Sequence, residues 1–232
     1  MKLYIGNKNY SSWSMRPWVL MREFDIPFDE VLIRFDSVGT FDAGSTFKRS
    51  VAAVSPAGRV PVLVDDAGQS IWDTLAIAET LAERFADKPL WPREAAARAR
   101  ARSIACEMHS GFGALRGAFP QNLEASLPHV GAEQLAKNAA AAADLARIDA
   151  LWTDALNASG GPFLFGAYSI ADAMYAPVAG RVLTYALPVG AAARGYIERL
   201  WSTKGVRAWV ADALAEREFV ADDEPYRRSR GA

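Results

Sequence analysis

The stretch RVPVLVDDAGQSIWDTLAIAETLAERFA, residues 59–86, carries the pattern that decides the fold of the N-terminal part of the chain. Val60–Val64 is a short apolar run typical of a buried strand, and Asp65–Gly68 has the composition of a turn. Ser70–Trp72 can then form a second short strand. Residues 73–86 repeat apolar side chains at helical spacing. The stretch therefore predicts a strand, a turn, a strand and a helix in succession.

The residues before this stretch add two strands and two helices. Residues 3–6 form a short apolar strand, and residues 14–24 follow with a helical pattern. Residues 28–35 alternate apolar and charged side chains, which indicates a half-buried strand, and residues 41–53 are expected to be helical. The predicted order over residues 1–86 is β-α-β-α-β-β-α, an α/β sheet layer with helices.

The rest of the chain predicts helices alone. Residues 87–92 contain two prolines and are interpreted as a linker. No strand pattern follows the linker, and the alanine-rich segments are strong helix formers. We expect an α/β domain over residues 1–86, an all-helical domain over residues 93–232, and a polar, mobile tail from Asp222 onward. The predicted helices cover residues 93–117, 132–157, 169–186 with a break or kink at Pro177, 191–201 and 205–217.

Composition excludes several classes of protein. The formal net charge of the 232 residues is -1, so the overall charge gives no sign of nucleic-acid binding. Cys106 is the only cysteine, and the histidines, His109 and His129, lie outside any Cys/His cluster, so we expect neither a disulfide framework nor a metal site. The N-terminus lacks the apolar segment of a signal peptide, and no run of 18 apolar residues exists, so a cytoplasmic protein without a membrane span is expected.

The first candidate for chemistry is the segment Tyr10–Arg16, between the first strand and the first helix. It contains the hydroxyl groups of Ser11 and Ser12 at the start of a helix, where free N–H groups and the positive end of the helix dipole favour an anion. A bound thiolate would be stabilised there, because helix N-termini lower the thiol pKa from its free value of about 8.5. The alternative is that the serines only cap the helix.

Two further candidates lie in residues 59–86. Val60 and Pro61 open a strand, and a cis bond between them would turn the N–H and carbonyl groups of Val60 outward, toward a peptide ligand. The low frequency of cis X-Pro bonds favours a trans edge proline instead. Asp73 and Thr74 start a helix, where a carboxylate can take an amino group and the helix end can take a carboxylate. Here too, helix capping is the alternative.

A fourth motif is structural. Ser169 and Asp172 have the spacing of a capping box, which fixes the point at which a core helix begins. Glycine-rich phosphate loops, dinucleotide-binding fingerprints and the nucleophile elbow of hydrolases are absent from the sequence. The chemistry of the protein must therefore be sought in the first three candidates.

In order and spacing, the four motifs together resemble the glutathione transferase family over nearly the whole chain. The opening Ser11-Ser12 doublet with Arg16 resembles zeta-type and related bacterial members. Residues 59–63 resemble the family's V-P-x-L motif with its cis proline, and residues 73–77 resemble the motif that opens the third helix. Residues 165–172 resemble the signature of the family's helical domain. The resemblance implies a thioredoxin-like N-terminal domain followed by an all-α domain.

The resemblance also implies roles for residues. A serine at the start of the first helix, Ser11 or Ser12 with Ser11 favoured, would hydrogen-bond the glutathione thiolate. The other glutathione-binding residues would be Trp13, Arg59, Val60, Pro61, Asp73 and Thr74. His109 and Phe112, on the helix that follows the linker, would face a pocket for the second substrate, although His109 is equally well explained as a structural histidine. Glutathione is thus expected as co-substrate, with no metal.

At three points the comparison with the family pattern limits which of the family's residue roles can be assigned to this sequence. Trp13 stands where the zeta pattern has a cysteine, which argues against naming a maleylacetoacetate isomerase. Thr74 replaces the usual serine but keeps the hydroxyl group. The cation for the glycyl end of glutathione, Lys48 or Arg49, cannot be assigned from the sequence.

Two functions follow from the resemblance. The first is an enzyme of detoxification, a homodimer that delivers the glutathione thiolate to a small hydrophobic electrophile. The second is a non-catalytic binding or scaffold protein on the same fold, because a fold does not fix a function. The retained serines, Asp73 and Thr74 favour the enzyme.

Overall fold

A four-stranded sheet forms the centre of the N-terminal part. The computed structural model describes residues 1–230, and within them the strand order is β2-β1-β3-β4. Strand β1 runs parallel to β2 and antiparallel to β3, and β3 runs antiparallel to β4. The prediction of an α/β layer is confirmed. The strands are β1 (Lys2–Ile5), β2 (Asp29–Leu32), β3 (Val62–Val64) and β4 (Ser70–Ile71).

Three helices cover the two faces of the sheet. Helices α1 (Ser12–Glu23) and α3 (Thr74–Arg84) contact each other and pack on the face that carries the fully buried Leu3 and Leu63. Helix α2 (Thr46–Ala52) lies on the other face, in a small separate apolar cluster. The sheet is thereby buried on both faces, which agrees with the apolar character of its central strands.

Two predicted elements are shorter in the structure than the pattern suggested. The strand expected over residues 28–35 is limited to Asp29–Leu32. The helix expected over residues 41–53 begins only at Thr46, because the side chain of Ser45 accepts a hydrogen bond from the Lys48 N–H at 3.0 Å and caps the helix there.

The Val60–Pro61 peptide bond is cis, as the resemblance implied, so the trans geometry favoured by base rates is wrong.

Within residues 85–230 the structure has no strand: its elements are α-helices and one short 3-10 helix, Ala221–Asp223. The helix expected over residues 93–117 is two helices, because Phe112 adopts a left-handed conformation with φ of 56°. The helix over residues 132–157 is also divided, at Asn138, whose side chain caps the second part. Of the break or kink expected at Pro177, the break is wrong, since one helix continues through this residue. The helices are α4 (Ala95–Ser110), α5 (Gly113–Ala118), α6 (Pro128–Lys137), α7 (Ala139–Ser159), α8 (Ile170–Tyr185), α9 (Ala191–Ser202) and α10 (Lys204–Glu216).

The predicted capping box begins α8. The Ser169 N–H donates to the Asp172 carboxylate at 2.9 Å, and the hydroxyl groups of Ser169 and Tyr196 also bond to this carboxylate. Asp172 is fully buried, and burial raises the pKa of its carboxyl to about 6. The prediction that the motif sets the start of a core helix is confirmed.

Helix α1 joins the sheet to the helical part. It packs against α8 and α10 as well as α3. At its contact with α10, a Cβ atom on Gly205 would lie 2.4 Å from the Val19 carbonyl oxygen, so only glycine allows this approach. Nearby, the buried Lys8 ammonium lies between Trp18 and Trp209. The two parts of the chain are thus held together by direct packing of their cores.

The prediction of a mobile tail is wrong for its described part, residues 222–230. The Tyr226 hydroxyl donates to the Ala118 carbonyl at 2.8 Å, and the buried carboxylate of Glu224 bonds to the Tyr10 hydroxyl at 2.7 Å and to Arg227. Polar composition suggested solvent exposure, but these polar groups are satisfied inside the fold. Residues 231–232 of the predicted tail lie outside the described residues. No helix within residues 1–230 has the length and apolarity needed to cross a membrane.

Candidate active site

Two adjoining cavities lie at the start of α1 and share Trp13, Arg59 and Val60 as walls. The first cavity has a volume of about 340 Å³ and the second about 330 Å³. The first is also lined by Tyr10, Ser11, Ser12, Phe35, Arg116 and Arg181, among others. The second is also lined by Ala57, Pro61, Trp72, Asp73 and Thr74. The structure thus brings the three separate sequence candidates to one place.

The serines differ in their hydrogen bonds. Ser11 is the N-cap of α1, as the capping interpretation predicted, and its Oγ lies 3.4 Å from the Ser14 N–H and 2.8 Å from the Ser14 Oγ. Ser14 is fully buried, and its Oγ accepts a bond from the Gly6 N–H at 3.1 Å. Ser12 is the first residue of α1, and within residues 1–230 its hydroxyl group has no hydrogen-bond partner. Both serines border the first cavity.

Val60 presents an unused backbone to the cavities. Its N–H and carbonyl groups make no hydrogen bond within the described part of the chain. Its neighbour Arg59 is exposed, and the Arg59 backbone is fixed by two hydrogen bonds with the Ser55 hydroxyl. Beside them, the Lys48 ammonium donates to the Gly58 carbonyl at 2.9 Å. Backbone groups without hydrogen-bond partners, next to the exposed Arg59, suit the backbone of a peptide that carries a carboxylate.

The start of α3 forms the far wall of the second cavity. Asp73 caps the helix through a bond from the Leu75 N–H to its Oδ1 at 3.2 Å, and its side chain stays about half exposed. The Thr74 hydroxyl donates to the Trp13 carbonyl at 3.1 Å, which ties α3 to α1. Capping and ligand binding are therefore compatible for Asp73, because only one of its oxygens serves the cap.

His109 and Phe112 lie elsewhere than the sequence suggested. Neither residue lines the first cavity. The His109 Nε2 lies 3.1 Å from the Asp73 Oδ2, and its ring meets Trp13 edge to face with centroids 5.2 Å apart. Phe112 is buried in the core, where it caps α5. Their place in a second-substrate pocket stays a prediction, since neither lines the first cavity: His109 contacts Asp73 at the start of α3, and Phe112 lies in the core before α5.

Sequence reasoning missed a cluster of arginines behind this site. Arg16 and Arg181 are almost fully buried, and Arg116 is half-buried. Burial, with repulsion among the arginines, lowers the pKa of Arg16 to about 9 and that of Arg181 to about 10. The guanidinium carbons of Arg16 and Arg116 lie 4.3 and 5.4 Å from the Trp13 ring centroid. No local sequence pattern predicts this cluster, because its three arginines lie on three different helices, α1, α5 and α8.

Comparison with known protein families gives a partial match at the N-terminus. Residues 10–84 match the family described as "Glutathione S-transferase, N-terminal domain". The chain is 31% identical over 110 residues to a probable maleylacetoacetate isomerase from Caenorhabditis elegans, and 32% identical over 114 residues to a maleylacetoacetate isomerase from Pseudomonas aeruginosa. Each match covers 47% of this chain, and 47% and 50% of the two relatives, so the chain matches only about half of their length.

Solved structures match over the whole fold. A glutathione transferase from Methylococcus capsulatus is 25% identical, with a TM-score of 0.65 over 91% of this chain and 98% of that chain. A glutathione transferase homolog from Burkholderia, solved with bound glutathione, is 21% identical, with a TM-score of 0.66 over 92% of this chain and 97% of that chain. The predicted fold, a thioredoxin-like domain followed by helices, is confirmed by these neighbours.

Proposed function

We propose that the chain is a glutathione S-transferase that binds glutathione across the two cavities and activates its thiol for attack on an electrophile. The proposal rests on the Ser11 and Ser12 hydroxyl groups at the start of α1, which border the first cavity. Val60 lines the same cavity, and its backbone N–H and carbonyl groups make no hydrogen bond within residues 1–230. A thiol and a peptide backbone are the two features of glutathione that such a space would recognise.

Activation of the thiol follows from the order of hydrogen bonds. The Ser14 Oγ accepts from the Gly6 N–H at 3.1 Å and from the Ser11 hydroxyl at 2.8 Å, while the Ser11 Oγ lies 3.4 Å from the Ser14 N–H. Rotation of the Ser11 hydroxyl about its Cβ–Oγ bond would redirect this proton from Ser14 into the first cavity, toward a sulfur atom. A charge-assisted bond from Ser11, together with the N-terminus of α1, would favour the thiolate over the thiol.

The rest of the tripeptide would lie along the second cavity. Val60 would pair its N–H and carbonyl groups with the cysteinyl unit, as one strand pairs with another. Asp73 would take the α-amino group of the γ-glutamyl unit, and the free N–H groups at the start of α3 would take its carboxylate. Lys48, which already lies beside Gly58, would hold the glycyl carboxylate together with Arg59.

The reaction would proceed at the sulfur. In conjugation, a sulfur–carbon bond forms while the leaving group departs with its electron pair. In isomerisation, the thiolate adds to a conjugated double bond and is expelled after rotation, so glutathione is not consumed. In peroxide reduction, sulfur attacks one peroxide oxygen and the O–O bond breaks, which releases an alcohol and leaves a sulfenic acid. A second glutathione then attacks that sulfur, forms the disulfide and releases water. Phe35, Phe41 and Pro120 give the first cavity an apolar wall for the electrophile.

The direct test is the ultraviolet absorbance of thiolate on mixing the protein with glutathione near neutral pH. We expect a thiolate signal that saturates with glutathione, and none with S-methylglutathione, which has no ionisable thiol. Calorimetry with both ligands supplies the affinity. Binding without a thiolate signal, or no binding at millimolar glutathione, would instead support a non-catalytic protein on the same fold.

The division into domains and the oligomeric state belong to the same proposal. We take residues 1–86 as the glutathione-binding domain and residues 93–232 as the domain that shapes the second-substrate site. A homodimer is proposed from the resemblance alone. Light scattering at micromolar protein concentration tests it, and the mass of a single chain would contradict it.

A further inference from the structure

We infer that the second substrate held in the first cavity is an anion, a carboxylate-bearing electrophile bound by Arg116 and Arg181. The inference rests on the proposed function and narrows it. A purely hydrophobic electrophile would satisfy the aromatic wall of the cavity but would leave its arginines without a counterion.

The charged side chains around the first cavity are mostly arginines. Arg59, Arg116 and Arg181 line the first cavity, whereas the only acidic residue among its lining residues is Asp223. None of the three arginines forms an ion pair within residues 1–230. Burial, together with repulsion from Asp222 and Glu224, raises the pKa of the Asp223 carboxyl to about 6, so near neutral pH it supplies one negative charge against three positive ones. The cavity therefore carries an excess of positive charge.

Two arginines of the cluster, Arg16 and Arg181, are almost fully buried. Arg181 is 4% exposed, and although it donates to the carbonyl groups of Phe119 and Pro177, these neutral partners do not balance its charge. Behind it, both terminal nitrogens of the fully buried Arg16 have no hydrogen-bond partner, and the same holds for the Nε of Arg116. Buried charges without partners are costly, so a cluster of this kind is best explained by an anion that binds beside it.

The arginines lie around the same cavity as the serine hydroxyl groups. The Arg16 and Arg116 guanidinium groups converge on Trp13, the residue that follows Ser11 and Ser12. Arg116 and Arg181 line the same cavity, and their mutual repulsion contributes to the lowered pKa of Arg181. A carboxylate held between them would leave the rest of the substrate in the same cavity as the serine hydroxyls. The thiolate and the electrophilic carbon would then meet without a further binding site.

The test uses a non-reactive pair of probes, 3-nitrobenzoate and its methyl ester, with the full-length protein saturated with S-methylglutathione. Calorimetry measures both affinities. We expect 3-nitrobenzoate to bind at least about tenfold more tightly than the ester, since one charge-assisted hydrogen bond corresponds to roughly a tenfold change or more. Arg116→Gln should abolish this preference, and Arg116→Lys should retain part of it.

Two controls make the result decisive. Arg102→Gln removes an exposed arginine that pairs with Glu79 outside both cavities, and it should change neither affinity. Arg181→Gln is measured only as a second variant, because Arg181 also holds two carbonyl groups of the fold. Equal binding of the acid and the ester would overturn the inference. So would loss of 3-nitrobenzoate binding on addition of S-methylglutathione, because the arginines would then serve the glutathione carboxylates.

The inference and the proposed function can fail separately. A thiolate signal with glutathione, but no preference for 3-nitrobenzoate over its ester, would overturn the inference and keep the transferase. An Arg116-dependent preference without a thiolate signal would support the anion site and remove the transferase.

Discussion

The hydroxyl oxygens of Ser11 and Ser14 lie 2.8 Å apart and connect strand β1, through the Gly6 N–H, to the first cavity. A buried serine three residues into the helix thus orients the hydroxyl group at its cap. Ser11 donates in this pair, so Ser14 holds the Ser11 hydroxyl group at the cavity wall until a bound thiolate competes for its proton. Ser14 is accordingly a positioning residue, and Ser11 is the residue proposed to touch the sulfur.

The first prediction distinguishes the two serines. Ser11→Ala should raise the pKa of the bound glutathione thiol by about one to two units, because a charge-assisted hydrogen bond contributes roughly 1.5–3 kcal/mol. Ser12→Ala should leave this pKa unchanged. The measurement is a pH titration of thiolate absorbance at saturating glutathione.

The reverse pattern, a raised pKa in Ser12→Ala alone, would assign the activation to Ser12. Ser14→Ala is the companion variant, and it should raise the pKa by less than Ser11→Ala while glutathione affinity changes little. If no variant shifts the pKa, the N–H groups of α1 are the activators and the hydroxyl groups only cap the helix.

The second prediction concerns the contact of 3.1 Å between His109 and Asp73. His109→Phe should raise the KM for glutathione roughly two- to tenfold with little change in kcat, because Asp73 loses the polar contact with the imidazole that orients it, and such a contact contributes about 0.5–1.5 kcal/mol. His129→Ala, an exposed histidine on α6, is the matched control. A fall in kcat at unchanged KM would contradict this reading and return His109 to the second-substrate site.

The third prediction is a pH dependence of stability that comes from Asp172. Burial raises the pKa of its carboxyl to about 6 in the folded protein, above its ordinary value of 3.8. The folded state therefore binds the proton more tightly than the unfolded chain, so this residue's contribution to stability falls as pH rises from about 4 to 6 and is level above that. Over the whole window the change is of the order of 3 kcal/mol.

Asp172→Asn isolates this contribution. Urea unfolding of both proteins from pH 4 to 7 should show the wild type gaining stability relative to the variant as the pH falls through 6. The variant should be less stable at every pH, since all four groups bonded to Asp172 are donors and the amide NH₂ cannot accept from them. A constant difference between the two proteins would show that Asp172 does not titrate in this range.

The fourth prediction tests the contact between α1 and α10. Gly205→Ala should lower the free energy of unfolding by about 1–3 kcal/mol or more, because its Cβ would lie 2.4 Å from the Val19 carbonyl oxygen and a backbone atom cannot move alone. Gly117→Ala is the control: it lies in helix α5 with no atom within 4 Å of the added Cβ, so it should be neutral or slightly stabilising. Equal effects in thermal unfolding would mean that the helices can separate at little cost.

Local patterns in the sequence determined much of the fold and part of the site. The apolar run before Asp65, the turn at Gly68 and the helical spacing after Asp73 are properties of neighbouring residues, and the structure confirms the elements that they predict. The capping box of Ser169 and Asp172 was visible for the same reason. The motifs around Ser11, Val60 and Asp73 were identified as candidates, and the structure brings them to adjoining cavities.

Other features depended on contacts between distant residues. The ordered tail follows from the bond between Tyr10 and Glu224, and the place of His109 follows from the crossing of α4 and α3, which no local pattern encodes. The arginine cluster is the clearest case, because Arg16, Arg116 and Arg181 each look like an ordinary helix residue. Only the tertiary structure brings these arginines together. Their burial and the closeness of their charges depend on how the chain packs, and not on the residues next to each arginine in the sequence.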